Sequence, residues 1–228
     1  VYMADVTADC PMAHMVTVDR IKEVREQYDD VAVVCYVNST AEIKAVSDVC
    51  VTSSNAIKVV KNINNKRIFF VPDNNLGRYV AKQLPEKEFI FNDGFCHVHK
   101  SIDPKLVAEA KEHHPDALVL AHPECTEDVL ELADYIGSTA GILDYATESE
   151  CKKFIICTEM GIFFKLSKQN PDKKFYSVGH RQFCPNMKKV SLEKVAAVME
   201  NPTEEVLLSD DIMNEACKPL QKMLELAK

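Results

Sequence analysis

The sequence lacks the features that mark membrane, secreted or nucleic-acid-binding proteins. No apolar run approaches the roughly 20 residues that a membrane-spanning helix needs. The opening stretch VYMADVTADC has neither the basic nor the apolar region of a secretion signal. Positive charge is in deficit, because 27 Lys and Arg residues against 35 Asp and Glu residues give a net charge of −8. This balance argues against nucleic acid or a membrane surface as the main partner.

The sequence also lacks the cysteine patterns of a C-x-x-C motif or of a disulfide-rich protein. The nine cysteines are odd in number, include no C-x-x-C pair and are too sparse in 228 residues for a disulfide scaffold. Cys35, Cys50 and Cys157 lie in apolar stretches, and we interpret them as small buried hydrophobic side chains. This cysteine usage is typical of a reducing cytoplasm, where we expect the protein to be located.

The pattern that is present is an alternation of helices and strands. Residues 31–37 (VAVVCYV) form a continuous apolar run without polar alternation, which predicts a parallel strand buried on both faces. Further strands are predicted at residues 49–51, 67–71 and 88–91, with helices between them. This alternation favours an α/β fold that has a small parallel sheet with helices on both sides.

The alternation repeats. A shift of 86 positions places Asp48 on Asp134 and residues 68–70 on residues 154–156, which indicates two copies of one α/β unit. The chain starts with Val1 rather than Met, directly in sequence typical of folded protein, and we expect it to be the remainder of a longer protein. The predicted division is the end of an incomplete N-terminal unit (1–10), repeat one (11–96), repeat two (97–184) and C-terminal helices that complete the incomplete unit (185–228).

Three cysteines occupy matching places in this pattern. Cys10, Cys96 and Cys184 are 86 and 88 positions apart, and each precedes a short loop and a helix start. We therefore predict a pseudo-threefold fold with three thiolates meeting at a central metal site. Three thiolates suit a four-iron cluster with one iron left open to act as a Lewis acid. They also suit a structural zinc site completed by a histidine, or they are buried structural thiols. The candidate histidines are His14, His97 and His99.

Polar residues gather at the predicted strand ends, where ligands of parallel α/β units bind. Tyr36 and Asn38 follow one strand and could hydrogen-bond a substrate. His122 and Glu124 follow its counterpart, and they suit general acid–base chemistry if burial moves the pKa of Glu124 towards neutrality. A lone His–Glu pair in a loop also has a purely structural interpretation.

Two Ser/Thr-rich turns occupy equivalent places between a strand and a helix, at residues 52–55 (TSSN) and 138–141 (STAG). Backbone N–H groups and hydroxyls at such helix starts bind phosphate or carboxylate. The alternative is that these residues only cap the helices.

These residues resemble the quinolinate synthase family, the iron–sulfur enzymes of de novo NAD biosynthesis. The resemblance runs over essentially the whole chain and is carried by CYVNSTAEIKAVSDVCVTSSNA, PDNNLGRYVAKQ, GFCHVH, AHPEC, ADYIGSTAGI, TEMGIFFKL and FCPNMK. It implies a transferase with one [4Fe-4S] cluster per chain. It also implies condensation of iminoaspartate with dihydroxyacetone phosphate to quinolinate, with loss of phosphate and two waters. Besides these small-molecule substrates, the resemblance implies a protein partner, which is the enzyme that supplies iminoaspartate.

The resemblance also assigns residues. It places the cluster ligands at Cys10, Cys96 and Cys184, and catalysis at Glu124, His122 and Tyr36. It implies that the substrates contact Tyr36, Asn38, Ser53, His122, Glu124, Ser138 and Thr139. The family carries a further N-terminal segment with catalytic residues, which has no counterpart before Val1, so we expect residues 1–228 alone to be poorly stable and inactive.

Two other functions compete with this interpretation. One is a zinc-stabilised, non-catalytic protein that binds small phosphates or carboxylates. The other is a metal-free α/β domain that binds sugar phosphates and keeps its cysteines in the core. An open iron distinguishes the enzyme from the first, and folding and ligand binding without a cluster would support the second.

Overall fold

The structure is a computed structural model that describes residues 1–179 and 182–228. It contains two four-stranded sheets, and every strand pair within them is parallel. The first sheet consists of β1 (Val31–Tyr36), β2 (Val49–Val51), β3 (Arg67–Val71) and β4 (Glu88–Phe91), in the order β2-β1-β3-β4. The second consists of β5 (Leu118–Ala121), β6 (Tyr135–Ile136), β7 (Lys153–Cys157) and β8 (Lys174–Ser177), in the order β6-β5-β7-β8.

Helices separate the strands and follow the second sheet. Those of the first unit are α1 (Val18–Gln27), α2 (Ala41–Ala45), α3 (Ala56–Lys61) and α4 (Asn74–Gln83). Those of the second are α5 (His97–Lys100), α6 (Pro104–His113), α7 (Glu127–Leu130), α8 (Thr139–Glu148) and α9 (Ile162–Gln169). The chain ends with α10 (Leu192–Glu200) and α11 (Asp210–Leu226), and short 3-10 helices lie at Pro11–His14 and Met187–Lys189.

The apolar runs explain the strands. All six residues of β1 are buried, and separate apolar clusters cover the two faces of the first sheet, which confirms the prediction of burial on both sides. The second sheet is likewise covered on both faces. Strand β3 contributes Phe69 and Phe70 to opposite clusters, as expected when successive side chains alternate between faces. No helix within the described residues is long and apolar enough to cross a membrane.

The repeat predicted from the sequence is confirmed in its hydrogen bonds. Asp48 Oδ2 accepts a hydrogen bond from the Val33 backbone N–H at 2.6 Å, and Asp134 Oδ2 accepts the equivalent bond from Val119 at 2.8 Å. The fold is therefore α/β with repeated parallel-sheet units. The exact division of the chain stays a prediction. Helix α11 packs against α2 and β2 of the first unit.

The strand order indicates where in each sheet a functional site is expected. In each sheet the connection changes direction between the first and third strands, at β1/β3 and at β5/β7. Parallel sheets bind ligands in the crevice that opens at such a point, at the carboxyl ends of the strands. The residues that follow these four strands therefore have the best position for a functional site.

Candidate active site

A cavity of about 460 Å³ lies where the two units meet, and all three repeat-matched cysteines line it. Cys10 precedes the first 3-10 helix, Cys96 precedes α5, and Cys184 lies shortly before the second 3-10 helix. Within the described residues, none of the cysteines is in a disulfide, and these three are partly exposed. The structure therefore brings together three thiols from distant parts of the chain.

The three thiols would have to lose their protons in order to bind a metal group. Burial, together with the charge of Glu124, raises the pKa of Cys96 to about 12. Burial is also the main cause of the raised pKa of Cys10, to which Cys96 and Glu124 add. Protons on these thiols have to leave when a metal binds. Three cysteines and no fourth protein thiolate in the described lining match a cluster that keeps one iron open.

A buried hydrogen-bond network crosses the cavity between the two units. The Tyr36 hydroxyl donates to Glu124 Oε1 at 2.7 Å, although the two residues are 88 positions apart. Glu124 Oε2 lies 3.1 Å from His99 Nδ1, and His99 Nε2 lies 2.9 Å from the Thr158 hydroxyl. The His122 ring stacks on the His99 ring with centroids 4.5 Å apart. Both carboxylate oxygens of Glu124 and both ring nitrogens of His99 thus have hydrogen-bond partners.

The network sets the charges of its members. Burial opposes ionisation of Glu124, but the hydrogen bond and charge of His99 and the hydrogen bond from Tyr36 lower its pKa to about 2. Burial alone would raise this pKa towards neutrality, but the contacts with His99 and Tyr36 outweigh it. Burial and the charge of His99 lower the pKa of His122 to about 4, and burial and Glu124 raise the pKa of Tyr36. At neutral pH the carboxylate is charged, while Tyr36 and His122 are neutral.

The predicted anion-binding turns divide into lining and supporting residues. Asn38 and Thr139 line the cavity. Ser53 does not line the cavity, but its side chain is close enough to Tyr36 to lower the pKa of that hydroxyl against the larger effect of burial. The Ser138 hydroxyl accepts the Gly141 backbone N–H at 3.1 Å and so caps α8. Ser138 therefore caps α8, and its predicted contact with substrate stays a prediction, while Thr139 begins α8 and lines the cavity.

Sequence reasoning missed several residues of the site. The sequence indicates His99 only as a candidate zinc ligand, and it gives Thr158 no role beyond its place at the end of a predicted strand. Asp73 is fully buried, and burial together with the charge of Glu124 raises its pKa to about 7. Glu159 lines the cavity. The available signal was the repeat itself, because Asp73 and Glu159 are 86 positions apart.

A second metal arrangement is present in the same place. Ligand atoms of Cys96, His99 and Glu124 lie within 4.8 Å of one another. Both ring nitrogens of His99 already have hydrogen-bond partners, so a metal there would break buried bonds. His14 is paired with Asp9. His97 lines the cavity and remains a candidate fourth ligand for zinc.

Comparison with known proteins gives a consistent result. The family profile of the Quinolinate synthetase A protein matches residues 1–225. A quinolinate synthase of Fusobacterium nucleatum is 51% identical over 227 residues, which is 100% of this chain and 76% of that protein. The quinolinate synthase of Caldicellulosiruptor saccharolyticus is 49% identical over 100% of this chain and 75% of its own length. That of Clostridioides difficile is 48% identical over 97% of this chain and 73% of its own length.

Proposed function

Because the chain belongs to the quinolinate synthase family, we propose that it condenses iminoaspartate with dihydroxyacetone phosphate to form quinolinate, as a transferase that releases phosphate and two waters. The observation that carries this proposal is the convergence of Cys10, Cys96 and Cys184 with the buried Tyr36–Glu124 pair in one cavity. The volume of that cavity lies in the range of small-molecule sites.

The proposed cofactor is one [4Fe-4S] cluster, held by Cys10, Cys96 and Cys184. When bound, such a cluster supplies an open iron that acts as a Lewis acid towards a leaving hydroxyl group. The chain supplies three thiols that are in no disulfide and that line the cavity. His97 and residues of the loops around these cysteines line it as well.

Proton transfer is assigned to the buried network. Glu124 is the group that accepts a proton from the substrate, because its carboxylate is ionised and lies in the cavity lining. The neutral Tyr36 hydroxyl fixes one oxygen of that carboxylate, and His99 fixes the other. His99 also contacts the Thr158 hydroxyl at 2.9 Å, which holds its ring in place against the Glu124 carboxylate. Neutral His122 orients the substrate and stacks on His99.

Binding of the anionic substrate groups is assigned to the strand ends of both units. The Asn38 side chain projects from the loop after β1, and Thr139 begins the ten-residue helix α8. Backbone N–H groups at the start of a helix attract carboxylate or phosphate. Substrate bound between these residues would sit across the junction of the two units. Ser138 supports this arrangement by capping the start of α8, and Ser53 lies next to Tyr36.

One observation favours a second function, a zinc-stabilised protein that binds small phosphates or carboxylates without catalysis. Cys96, His99 and Glu124 come close enough for one ion. In that case Glu124 would be a ligand, and Tyr36 would lose its partner. Metal analysis separates the two functions, because zinc would replace iron and acid-labile sulfide.

The test is an anaerobic assay of quinolinate and phosphate release from iminoaspartate and dihydroxyacetone phosphate after reconstitution with iron and sulfide. It is run on this chain and on a fusion that adds the remaining length of the Fusobacterium nucleatum relative. We expect equal amounts of quinolinate and phosphate from the fusion, and little from the chain alone. An iron-loaded fusion that forms no quinolinate would overturn the proposed reaction.

A further inference from the structure

Two acidic residues hold the cysteine loops in the same way in both units. Asp73 Oδ2 accepts the Cys96 backbone N–H at 2.9 Å, and Glu159 Oε1 accepts the Cys184 backbone N–H at 3.3 Å. The acids follow β3 and β7, the third strands of the two units. Neither bond is local in sequence, since each spans more than 20 residues. The hydrogen bond that holds the cysteine loop is therefore repeated in both units.

Each acid uses its other oxygen to fix the chain after the strand. Asp73 Oδ1 accepts the Leu76 N–H at 2.6 Å and so caps α4. Glu159 Oε2 accepts the Gly161 N–H at 2.6 Å, just before α9. One carboxylate thus connects the start of a helix to a cysteine loop. Because α4 and α9 are packed against their sheets, the loop is held to a rigid element.

A backbone bond next to each acid repeats as well. The N–H of Asn74 donates to the Gly94 carbonyl at 2.8 Å, and the N–H of Met160 donates to the Gln182 carbonyl at 2.8 Å. In both cases the donor follows the acid, and the acceptor lies two residues before the cysteine. This agreement indicates a structural feature that both units share rather than two incidental contacts.

The third cysteine has a carboxylate partner too, although a local one. Asp9 Oδ1 accepts the Cys10 backbone N–H at 2.8 Å. All three cysteine N–H groups are therefore directed at carboxylates. Hydrogen bonds to cluster or cysteine sulfur and the local net charge both tune the potential of an iron–sulfur centre. An N–H group that is held by a carboxylate does not donate to sulfur.

We propose that Asp73 and Glu159 are equivalent positioning residues that fix the loops of Cys96 and Cys184 and, together with Asp9, keep the potential of the bound cluster low. This inference rests on the proposed function for its cluster, but the positioning of the loops can be tested without any metal. A low potential suits a centre that acts as a Lewis acid and does not carry electrons.

The variants are chosen to keep the helices capped. Asp73→Ser leaves a good N-cap hydroxyl for α4 but removes the second oxygen that reaches Cys96. Asp103→Ser is its matched control, because Asp103 caps the ten-residue helix α6 and accepts the Lys105 N–H at 2.9 Å. Glu159→Gln keeps one side-chain oxygen, which can still accept the Gly161 N–H. The NH₂ group that replaces the other oxygen cannot accept the Cys184 N–H, so that bond is lost. Thermal unfolding of all three establishes that they fold.

The first measurement is the alkylation rate of each cysteine in the metal-free chain, resolved by mass spectrometry. Asp73→Ser is expected to raise the rate at Cys96 about tenfold and to leave Cys184 unchanged, because a charge-assisted hydrogen bond is lost at one loop only. Glu159→Gln is expected to do the reverse. Equal changes at both cysteines, or no change at either, would overturn the positioning role.

The second measurement uses the iron-loaded chain. The reduction potential is expected to become more positive in Asp73→Ser and Glu159→Gln but not in Asp103→Ser, and iron loss to a chelator is expected to accelerate about 10–100-fold. An unchanged potential would overturn the second half of the proposal. If no variant and no wild-type protein binds iron while the alkylation pattern holds, the cluster assignment fails and the positioning role stands.

Discussion

The first unit (11–96) and the second unit (97–184) differ least in their scaffold and most at their strand ends. Asp48 and Asp134 make the same bond to the first strand of each sheet. The positions of Tyr36 and Asn38, by contrast, correspond 86 residues later to His122 and Glu124. A neutral pair in one unit therefore faces an ionisable pair in the other.

The chemistry is expected at the side chains in which the two units differ. A repeated scaffold supplies the same geometry twice, and side chains at the carboxyl ends of β1 and β5 are among those that distinguish the units in the cavity. The bond from Tyr36 to Glu124 joins the unlike pairs across the interface. Function therefore depends on side chains placed on the fold and not on the fold alone.

The largest effect on activity is expected from substitutions after β1 and β5, where the side chains of the two units differ. Glu124→Gln is expected to lower quinolinate formation about 10²–10⁴-fold, because it removes the proposed proton acceptor. Its counterpart variant Asn38→Ala is expected to cost only about tenfold, since it removes hydrogen bonds to substrate. The anaerobic assay on iron-loaded fusion protein measures both. A greater loss in Asn38→Ala than in Glu124→Gln would reverse the assignment of roles.

The next effect compares the two cores. Phe69 on β3 and Ile155 on β7 are equivalent and fully buried. Phe69→Ala is expected to lower the free energy of unfolding by about 3–5 kcal/mol and Ile155→Ala by about 2–4 kcal/mol, because each leaves a cavity. Urea denaturation followed by circular dichroism measures both. A second transition that appears in only one variant would show that the units unfold separately.

Much of this comparison could be predicted from the sequence. The apolar runs in β1, β3 and β7 are long and unbroken, and their repetition at 86 residues identifies two units without any structure. The matched cysteines follow from the same repetition. Such patterns are local or periodic, and a single sequence carries them fully.

The rest depends on contacts that no local pattern contains. The pKa of Glu124 moves down because His99 and Tyr36 approach it from distant parts of the chain. The docking of α11 on α2 and β2 likewise depends on the shape of the first unit. The second role of Asp73, which supports Cys96, is hidden in the sequence by its ordinary role as a helix cap.

A smaller effect tests the scaffold bond that both units share. Asp48 also pairs with Arg25 at 2.8 Å, whereas Asp134 pairs with Lys111 at 3.4 Å. Asp48→Asn is therefore expected to lower the free energy of unfolding by about 1–2 kcal/mol and Asp134→Asn by about half as much, with both values reduced by partial exposure. Chemical denaturation measures the pair. Equal losses would mean that the bond to the strand alone matters.

The smallest effect is expected at the exposed ion pair that joins the units. Lys82 on α4 pairs with Glu127 on α7, and both side chains are about half exposed. Lys82→Ala is expected to leave the melting temperature unchanged, because solvent screens such pairs. Differential scanning calorimetry is the measurement. A clear drop in the melting temperature would show that the units are joined at this surface and not mainly through the buried network.

The proposed function depends first on three cysteines from separate parts of the chain that together hold one cluster. Its most direct test is iron and sulfide analysis with a visible spectrum on anaerobically reconstituted wild type, on Cys10→Ser, Cys96→Ser and Cys184→Ser, and on the exposed control Cys217→Ser. We expect about four irons per chain and a broad absorption near 400 nm in the wild type and the control, and loss of both in each of the other three. Zinc in place of iron, or an unchanged cluster in any of the three variants, would contradict the claim.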